Sequence, residues 1–225
     1  MKAGYKVGIV NTVTNAVESI HEEFKKQLPC VTTYDIIDTT MVAEIIEKID
    51  PSPYLIARLA QYFQVCEQMG CDAILNGCSS ISSAVLVAKQ TVSIPVFQID
   101  EPMANTAVRM GKRVGVVATA ISTLKPSELA FLRARDGAGL QEDVQINMYY
   151  CEGAHKAYIM NGDKQTHDRI VTEVAKKAAE ENDVIALAQG SMAALAPELE
   201  KFGVPVLTSI GGGIGQVKDY LESLG

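Results

Sequence analysis

The sequence lacks the features of several large classes of protein. It has no excess of basic charge, because 20 Lys and Arg residues stand against 27 Asp and Glu residues and give a formal net charge of −7. A nucleic-acid-binding protein normally presents a basic face, so no nucleic-acid partner is expected. Only three histidines occur, and the five cysteines form neither a CxxC pair nor a Cys/His cluster, so no zinc site is expected.

Long apolar runs are also missing. No run approaches the roughly 20 residues that a membrane helix needs, so no membrane partner is expected. The apolar run Lys6–Val10 is too short for the core of a signal peptide and leads directly into sequence with a folded pattern. We therefore expect a cytoplasmic protein with reduced cysteines. A chain of 225 residues can form one large or two small domains with a substantial core.

What the chain does contain is an alternation of short apolar strands with amphipathic helices. The predicted strands cover 6–10, 31–36, 73–75, 94–99, 112–117, 145–149 and 204–207. The first predicted helix extends to about residue 27. The others cover 41–49, 53–69, 80–89, 101–110, 124–135 and 164–181. Strands that alternate with helices in this way predict an α/β fold with parallel strands and right-handed crossovers.

The pattern occurs twice. Residues 112–117 resemble 6–10, residues 183–192 align without gaps to 72–81, and residues 204–207 match 94–97, always at an offset near 110. This repeat predicts two lobes, 1–105 and 106–225, each with a four-stranded parallel sheet flanked by helices. An alternative arrangement is that the last helix packs back on the first lobe.

The repeat also predicts where a ligand binds. Ligands of open parallel sheets lie beyond the carboxyl ends of the strands. Cys78 and Gln189 occupy equivalent turns at that edge of their own halves. If the lobes are related by a pseudo-twofold axis, the two turns face each other, and the active site is expected in the cleft between the lobes.

The two turns resemble those of the cofactor-independent aspartate/glutamate racemase superfamily. The resemblance lies in Asn76-Gly-Cys-Ser-Ser80 and Leu187-Ala-Gln-Gly-Ser-Met192, and the duplicated halves extend it over essentially the whole chain. Relatives in that superfamily include aspartate, glutamate and hydantoin racemases, maleate isomerase and arylmalonate decarboxylase. The resemblance implies a catalytic Cys78, no cofactor, no metal and a homodimer. It also shows a departure, because Gln189 stands where two-cysteine members carry their second cysteine.

Cys78 suits proton transfer at a carbon next to a carboxylate. Such a reaction needs a base on one face of the substrate, an acid on the other and donors that stabilise an enediolate. A helix that begins near Ser80 is expected to lower the pKa of the thiol. Ser79 and Ser80 are expected to hold a carboxylate through hydroxyl and backbone N–H groups. The structural alternatives are a buried cysteine and a serine that only caps the helix.

Gln189 excludes a symmetrical two-thiol mechanism, because an amide does not ionise near neutral pH. Three possibilities remain open. The reaction is one-sided, as in decarboxylation or isomerisation through a covalent Cys78 adduct. Another group, such as Cys151, His155 or Asp100, supplies the second proton. Or the chain only binds, and Gln189 with Gly190 and Ser191 orients the substrate.

Other residues of the carboxyl edge are weaker candidates. The resemblance implies that Asn11, Thr12 and Thr119 contact the substrate carboxylate, although these residue types also favour turns. Ile121 stands where the decarboxylase branch has a tyrosine, which weakens the decarboxylase interpretation. The glycine run 210–215 does not fit the GxGxxG pattern, and we expect a close backbone approach or helix packing there. His155 and His167 lie in a polar segment that reads as a surface loop and a helix start.

These observations give one main expectation for function. The chain is expected to be a cofactor-independent racemase or isomerase acting at a carbon alpha to a carboxylate of a small amino acid or dicarboxylate, with Cys78 as acid/base or nucleophile. The alternatives are a decarboxylase of the arylmalonate type and a non-catalytic protein that binds small carboxylates.

Overall fold

The computed structural model describes residues 4–14, 16–47 and 51–225. The chain divides into two compact units, one of Met1–Ile99 with Ile210–Gly225 and one of Asp100–Ser209. Each unit contains a four-stranded sheet whose strands are all parallel. The predicted α/β class with two four-stranded parallel sheets is confirmed.

The first unit has the strand order β2-β1-β3-β4. Its strands are β1 (Lys6–Asn11), β2 (Thr32–Ile37), β3 (Ala73–Asn76) and β4 (Val96–Gln98). The helices between them are α1 (Val17–Gln27), α2 (Thr39–Glu47), α3 (Pro53–Gln68) and α4 (Ser82–Ala88). A 3₁₀ turn, Ser79–Ile81, precedes α4, so the helix predicted directly after Cys78 begins as this tighter turn.

The central strands of this unit are apolar on both faces because both faces are covered. Val10 and Ile74 face a core with Leu59 and Phe63 of α3. The opposite face forms a second core around Ile9, Leu75 and Ile20 of α1. Continuous apolar runs are typical of strands buried on both sides, and this is why the strands were visible in the sequence.

The second unit repeats the arrangement with the order β6-β5-β7-β8. Its strands are β5 (Arg113–Ala118), β6 (Gln145–Tyr150), β7 (Val184–Leu187) and β8 (Val206–Thr208). Its helices are α5 (Glu101–Met110), α6 (Ile121–Gly137), α7 (Lys164–Glu181) and α8 (Ala196–Leu199). A π-helix at Lys156–Met160 and a 3₁₀ helix at Gly190–Leu195, neither of which was predicted, lie between these elements.

The same contact anchors the central strand pair in both units. The backbone N–H of Lys6, at the start of β1, donates to Oδ2 of Asp72 at 2.8 Å. At the equivalent place, the N–H of Arg113 donates to Oδ2 of Asp183 at 2.9 Å. Each carboxylate therefore holds the amino end of the strand that leads to the candidate site, and the sequence repeat is also a repeat of contacts.

The last helix, α9 (Ser209–Ser223), packs with the first unit, where Ile214 and Val217 join the core of α1. One glycine of its run serves close packing: a Cβ at Gly213 would lie 2.6 Å from the carbonyl oxygen of Ile99. A side chain there would overlap the backbone of the first unit. Helix packing therefore accounts for the glycine at position 213.

Two remaining predictions concern helices. The helix predicted over 41–49 corresponds to α2, whereas its end at Ile49 and the predicted break at Asp50 lie outside the described residues. Among the helices of the described ranges, none combines the length and the apolar character that crossing a membrane requires.

Candidate active site

Cys78 lies two residues beyond the carboxyl end of β3, in a turn whose donors converge on its sulfur. The hydroxyl of Thr12, which follows β1, donates to Sγ at 2.8 Å. The backbone N–H groups of Ser80 and Ile81, in the 3₁₀ turn, also donate to the sulfur, as does the Ser80 side chain. The parallel register that pairs Val10 with Asn76 brings Thr12 and Cys78 together across 66 residues of sequence.

The pKa of the Cys78 thiol is raised, contrary to the expectation from sequence. Burial is the largest cause, since only 7% of the residue is exposed, and the donors from Thr12, Ser80 and Ile81 oppose it without overcoming it. The helix α4 has seven residues and is preceded by a 3₁₀ turn, so it offers a weaker dipole than the predicted helix. The resting group is therefore a neutral thiol surrounded by donors.

Two asparagines complete this turn, and one of them was not predicted as a site residue. Asn76, the last residue of β3, donates from Nδ2 to the Cys78 carbonyl at 2.9 Å and so fixes the turn. Asn11 lies against Gly77, where a Cβ would stand 2.1 Å from the Asn11 Oδ1. Glycine at position 77 is thus required for Asn11 to occupy its place. The polar end of an otherwise apolar strand was the signal for Asn76.

Asn11 is fully buried, and neither Nδ2 nor Oδ1 has a hydrogen-bond partner within the described ranges. Buried polar groups are nearly always paired, and an orphan costs about 1–3 kcal/mol. The Asn11 amide beside the Cys78 turn therefore offers an unused donor and an unused acceptor. A ligand group that carries both an N–H and a carbonyl or carboxylate oxygen matches this pair.

The second unit contains the counterpart of the Thr12–Cys78 contact. Oε1 of the half-buried Gln189 accepts hydrogen bonds from the backbone N–H of Thr119 at 2.6 Å and from its hydroxyl at 3.0 Å. Thr119 follows β5 as Thr12 follows β1, and Gln189 lies two residues beyond β7. The amide oxygen thus takes the acceptor position that sulfur takes in the first unit, which leaves Nε2 as the donor of this side chain.

The remaining predicted site residues are placed less specifically. Ser79 is buried in the 3₁₀ turn beside Ser80, and Gly190 and Ser191 begin the 3₁₀ helix after Gln189. In the part of the chain that the structure covers, Ser191 makes no side-chain hydrogen bond to Thr119 or Gln189. These three residues therefore stay candidates by position.

Cys151 differs from Cys78 because burial alone determines its pKa shift, whereas hydrogen bonds from Thr12, Ser80 and Ile81 stabilise a thiolate at Cys78. It is fully buried in the core of the second unit, and burial raises its pKa to about 12. Among residues 4–14, 16–47 and 51–225, no group of three or more His, Cys, Asp or Glu side chains is arranged to hold a metal ion.

Comparison with known proteins gives a family and a fold. The sequence model of the family described as Asp/Glu/Hydantoin racemase matches residues 7–216. No curated protein sequence matches the chain significantly.

The chain is similar in fold to solved racemase structures. Glutamate racemase isoform RacE1 from Bacillus anthracis has 18% identity and a TM-score of 0.72 over 100% of this chain and 84% of that one. Allantoin racemase from Klebsiella pneumoniae has 20% identity and a TM-score of 0.73 over 98% and 89%. Aspartate racemase from Picrophilus torridus has 18% identity and a TM-score of 0.62 over 92% and 90%.

Proposed function

Since the chain belongs to the Asp/Glu/Hydantoin racemase family, we propose that it is a cofactor-independent racemase or isomerase that acts at a carbon alpha to a carboxylate. The observation that carries this proposal is the Thr12–Cys78 contact at the carboxyl edge of a parallel sheet. That edge is where ligands of such sheets bind. The family supports racemase chemistry, and the turn supplies a group able to perform it.

In the proposed mechanism, Cys78 acts as acid and base. The neutral thiol gives its proton to the substrate carbanion: the S–H bond breaks, a C–H bond forms, and the electron pair of the enediolate makes that bond. The thiolate left behind keeps hydrogen bonds from Thr12, Ser80 and Ile81. In the reverse direction the buried thiolate is a strong base, because its conjugate acid has a raised pKa.

The substrate that fits best is an amino acid or a ring amide derived from one. Asn11 provides a donor for a carboxylate or carbonyl oxygen and an acceptor for an adjacent N–H. Maleate and arylmalonates have oxygen acceptors but no N–H, so they would leave the Asn11 Oδ1 unpaired. The decarboxylase alternative also lacks its tyrosine, because Ile121 at that place is 65% exposed and has no polar group.

A non-catalytic carboxylate binder is the second candidate, and Gln189 is the observation that favours it. This residue cannot ionise, and its carbonyl oxygen is held by Thr119.

The cleft shared by the two turns stays a prediction. We also propose the homodimer and the cytoplasmic location expected from the sequence, and light scattering of the purified protein tests the first of these.

Solvent exchange tests the proposed reaction. Both enantiomers of aspartate, glutamate, 5-substituted hydantoins and allantoin are incubated in D₂O, and deuterium at the α-carbon is followed by NMR. The wild-type protein is expected to incorporate deuterium into both enantiomers of at least one of these compounds. In Cys78→Ala, at least one enantiomer of that compound is expected to stay unlabelled.

Cys30→Ala is the control, because Cys30 is an exposed free thiol. Full turnover of Cys78→Ser would overturn the mechanism. Binding of these compounds without any exchange would establish the binder instead.

A further inference from the structure

The turn between α3 and β3 places two cysteines side by side within the first unit. The N–H of Cys71 donates to the carbonyl of Cys66 at 3.1 Å, and the N–H of Gly70 donates to the carbonyl of Glu67 at 2.9 Å. Gly70 has a φ of +74°. These two bonds and the positive φ define a Schellman motif, in which the side chains at the positions of Cys66 and Cys71 normally contact each other.

The central strand β1 has a glycine where the two sulfurs lie. A Cβ at Gly8 would overlap the sulfur of Cys66 and would lie 3.7 Å from the sulfur of Cys71. Both cysteines belong to one core and are 1% and 4% exposed. A side-chain hydrogen bond joins the two thiols. Gly8 thus leaves the space that the thiol pair fills.

The backbone around the pair suits a disulfide. A disulfide joins residues whose Cα atoms are roughly 4.4–6.8 Å apart. The hydrogen bond between the main chains of Cys66 and Cys71 holds the two residues next to each other in this way. Both thiols are free. A bridge between them would form by rotation of two side chains while the Schellman bonds stay in place.

The turn that covers the pair is exposed and carries a positive charge. Met69 is 44% exposed, Gly70 is exposed as well, and Nζ of Lys6 donates to the carbonyl of Met69 at 3.4 Å. Burial raises the pKa of Cys66 to about 12. Burial also raises the pKa of Cys71, but the charge of Lys6 opposes this rise. Cys71 is therefore the better nucleophile of the pair, and fraying of the last helical turn gives solvent access to it.

We propose that Cys66 and Cys71 are a modification site, at which hydrogen peroxide oxidises the pair to a reversible disulfide. The Cys71 thiolate attacks peroxide: an S–O bond forms, the O–O bond breaks, and the hydroxide released takes up a proton to become water. Cys66 then attacks the sulfenic sulfur: the S–S bond forms, the S–O bond breaks, and the second oxygen leaves as water. The two thiols lose two electrons and two protons, and peroxide is reduced to two waters. This inference is independent of the proposed function.

Mass spectrometry of the full-length protein tests the bond. The folded protein is treated with hydrogen peroxide, its remaining thiols are alkylated in denaturant, and it is digested without reduction. Cleavage after Glu67 separates Cys66 from Cys71, so only a disulfide keeps their fragments joined. We expect the joined product with two hydrogens lost and no oxygen gained, and we expect dithiothreitol to separate it. Cys78→Ala is expected to give the same product, because Cys78 shares a fragment with Cys71 but is not the partner.

Single variants test the order of the two steps. In Cys66→Ala, Cys71 is expected to stop at the sulfenic acid and to be labelled by dimedone, whereas in Cys71→Ala, Cys66 is expected to stay reduced. Lys6→Met is expected to slow formation of the disulfide roughly twofold or more, because the cation beside Cys71 is lost. Lys112→Met is the matched control, since Lys112 directly precedes β5 of the other unit, and it should leave the rate unchanged.

Two cysteines of the same molecule serve as internal references. Cys30 is exposed, and Cys151 is buried in a core that contains no other cysteine among the described residues. Cys151 is expected to stay reduced while the pair is oxidised. The inference would be overturned if the pair stayed reduced at a peroxide concentration that oxidises Cys30 fully, or if it reacted no faster than Cys151. Loss of the joined product in Cys78→Ala would overturn it too. The wild-type measurement needs no variant, so it decides even if a variant fails to fold, and none of these results bears on turnover.

Discussion

Thr12 donates its hydroxyl hydrogen to the sulfur of Cys78 at 2.8 Å, and Thr119 makes the same kind of contact, at 3.0 Å, to the amide oxygen of Gln189. The acceptor has changed between the two units while the donor has been kept. In both units the threonine follows the first strand of the sheet and the acceptor follows the third. The contact therefore belongs to the repeated fold, and the chemistry depends on which acceptor is present.

Removing the Thr12 hydroxyl is expected to make Cys78 a weaker acid. Thr12→Val deletes a donor to the thiolate, and a hydrogen bond to a charged group is worth about 1.5–3 kcal/mol, or roughly ten- to a hundredfold in thiolate population. Alkylation of Cys78 by iodoacetamide, followed by mass spectrometry of its peptide, should slow by that factor. Thr119→Val is the matched control and should leave the rate unchanged, and equal rates in both variants would refute the role of Thr12.

Replacing Gln189 is expected to affect stability through Thr119. Gln189→Leu leaves the N–H and hydroxyl of the buried Thr119 without their acceptor, at a cost of about 1–3 kcal/mol. Gln189→Glu keeps an acceptor and should stay close to the wild type at neutral pH. Urea unfolding measures both free energies, and a Leu variant as stable as the wild type would contradict the importance of the contact.

Two glycines of α9 should respond in opposite ways to the same change. A Cβ at Gly213 would meet the carbonyl oxygen of Ile99 at 2.6 Å, so Gly213→Ala should destabilise the protein by about 1–3 kcal/mol. A Cβ at Gly211 would meet only Oε1 of Glu23 at 3.9 Å, so Gly211→Ala should be neutral or should stabilise the helix by up to about 1 kcal/mol. Thermal unfolding compares the two, and a stable Gly213→Ala protein would show that α9 packs elsewhere.

Alkaline pH should destabilise the protein through its buried thiols. Burial raises the pKa of Cys66 and of Cys151 to about 12, whereas the unfolded chain ionises both near about 8.5. Stability from these groups is complete below the unfolded pKa and is lost as pH rises toward the folded one. The slope between the two is about 1.4 kcal/mol per pH unit for each thiol.

A variant at Cys151 isolates one of these contributions. Cys151→Ala should reduce the slope of the unfolding free energy against pH, between pH 9 and 11, by the contribution of one thiol. This expectation holds whatever effect the substitution has on stability at pH 7. Cys30→Ala is the control, because it removes an exposed cysteine and not one of the buried thiols. An unchanged slope in Cys151→Ala would mean that this thiol ionises in the folded protein.

The sequence predicted the elements well where one local pattern decides the structure. The strands around Ile9 and Ile74 are apolar runs because both faces of each sheet are buried. The repeat identified Cys78 and Gln189 as equivalent positions, and the structure gives them equivalent neighbours. Turn residues and strand ends were therefore predictable from the local sequence around each of them.

Properties that depend on several distant segments were not predictable. The direction of the Cys78 pKa shift depends on how completely the folded chain excludes water, and sequence does not give burial. The Asn76 amide was read as part of a motif, whereas its contact to the Cys78 carbonyl is a matter of turn geometry. The pairing of His167 with Asp168 was not predicted, nor was an Nε2 that has no hydrogen-bond partner among the described residues, because the sequence indicated only a helix start there.

The carboxylates of Asp72 and Asp183 hold the amino ends of their strand pairs, at the far end from the residues at 78 and 189. Anchoring and chemistry are thus separated along each strand, and we expect mutation at the turn to leave the anchoring contact in place. After a half-chain is duplicated, one copy can keep its reactive residue while the equivalent residue of the other copy is substituted, at little cost in stability. A graft of residues 189–192 onto positions 78–81, which keeps Gly77, should consequently fold, and the reciprocal graft should give the second unit a thiol of its own.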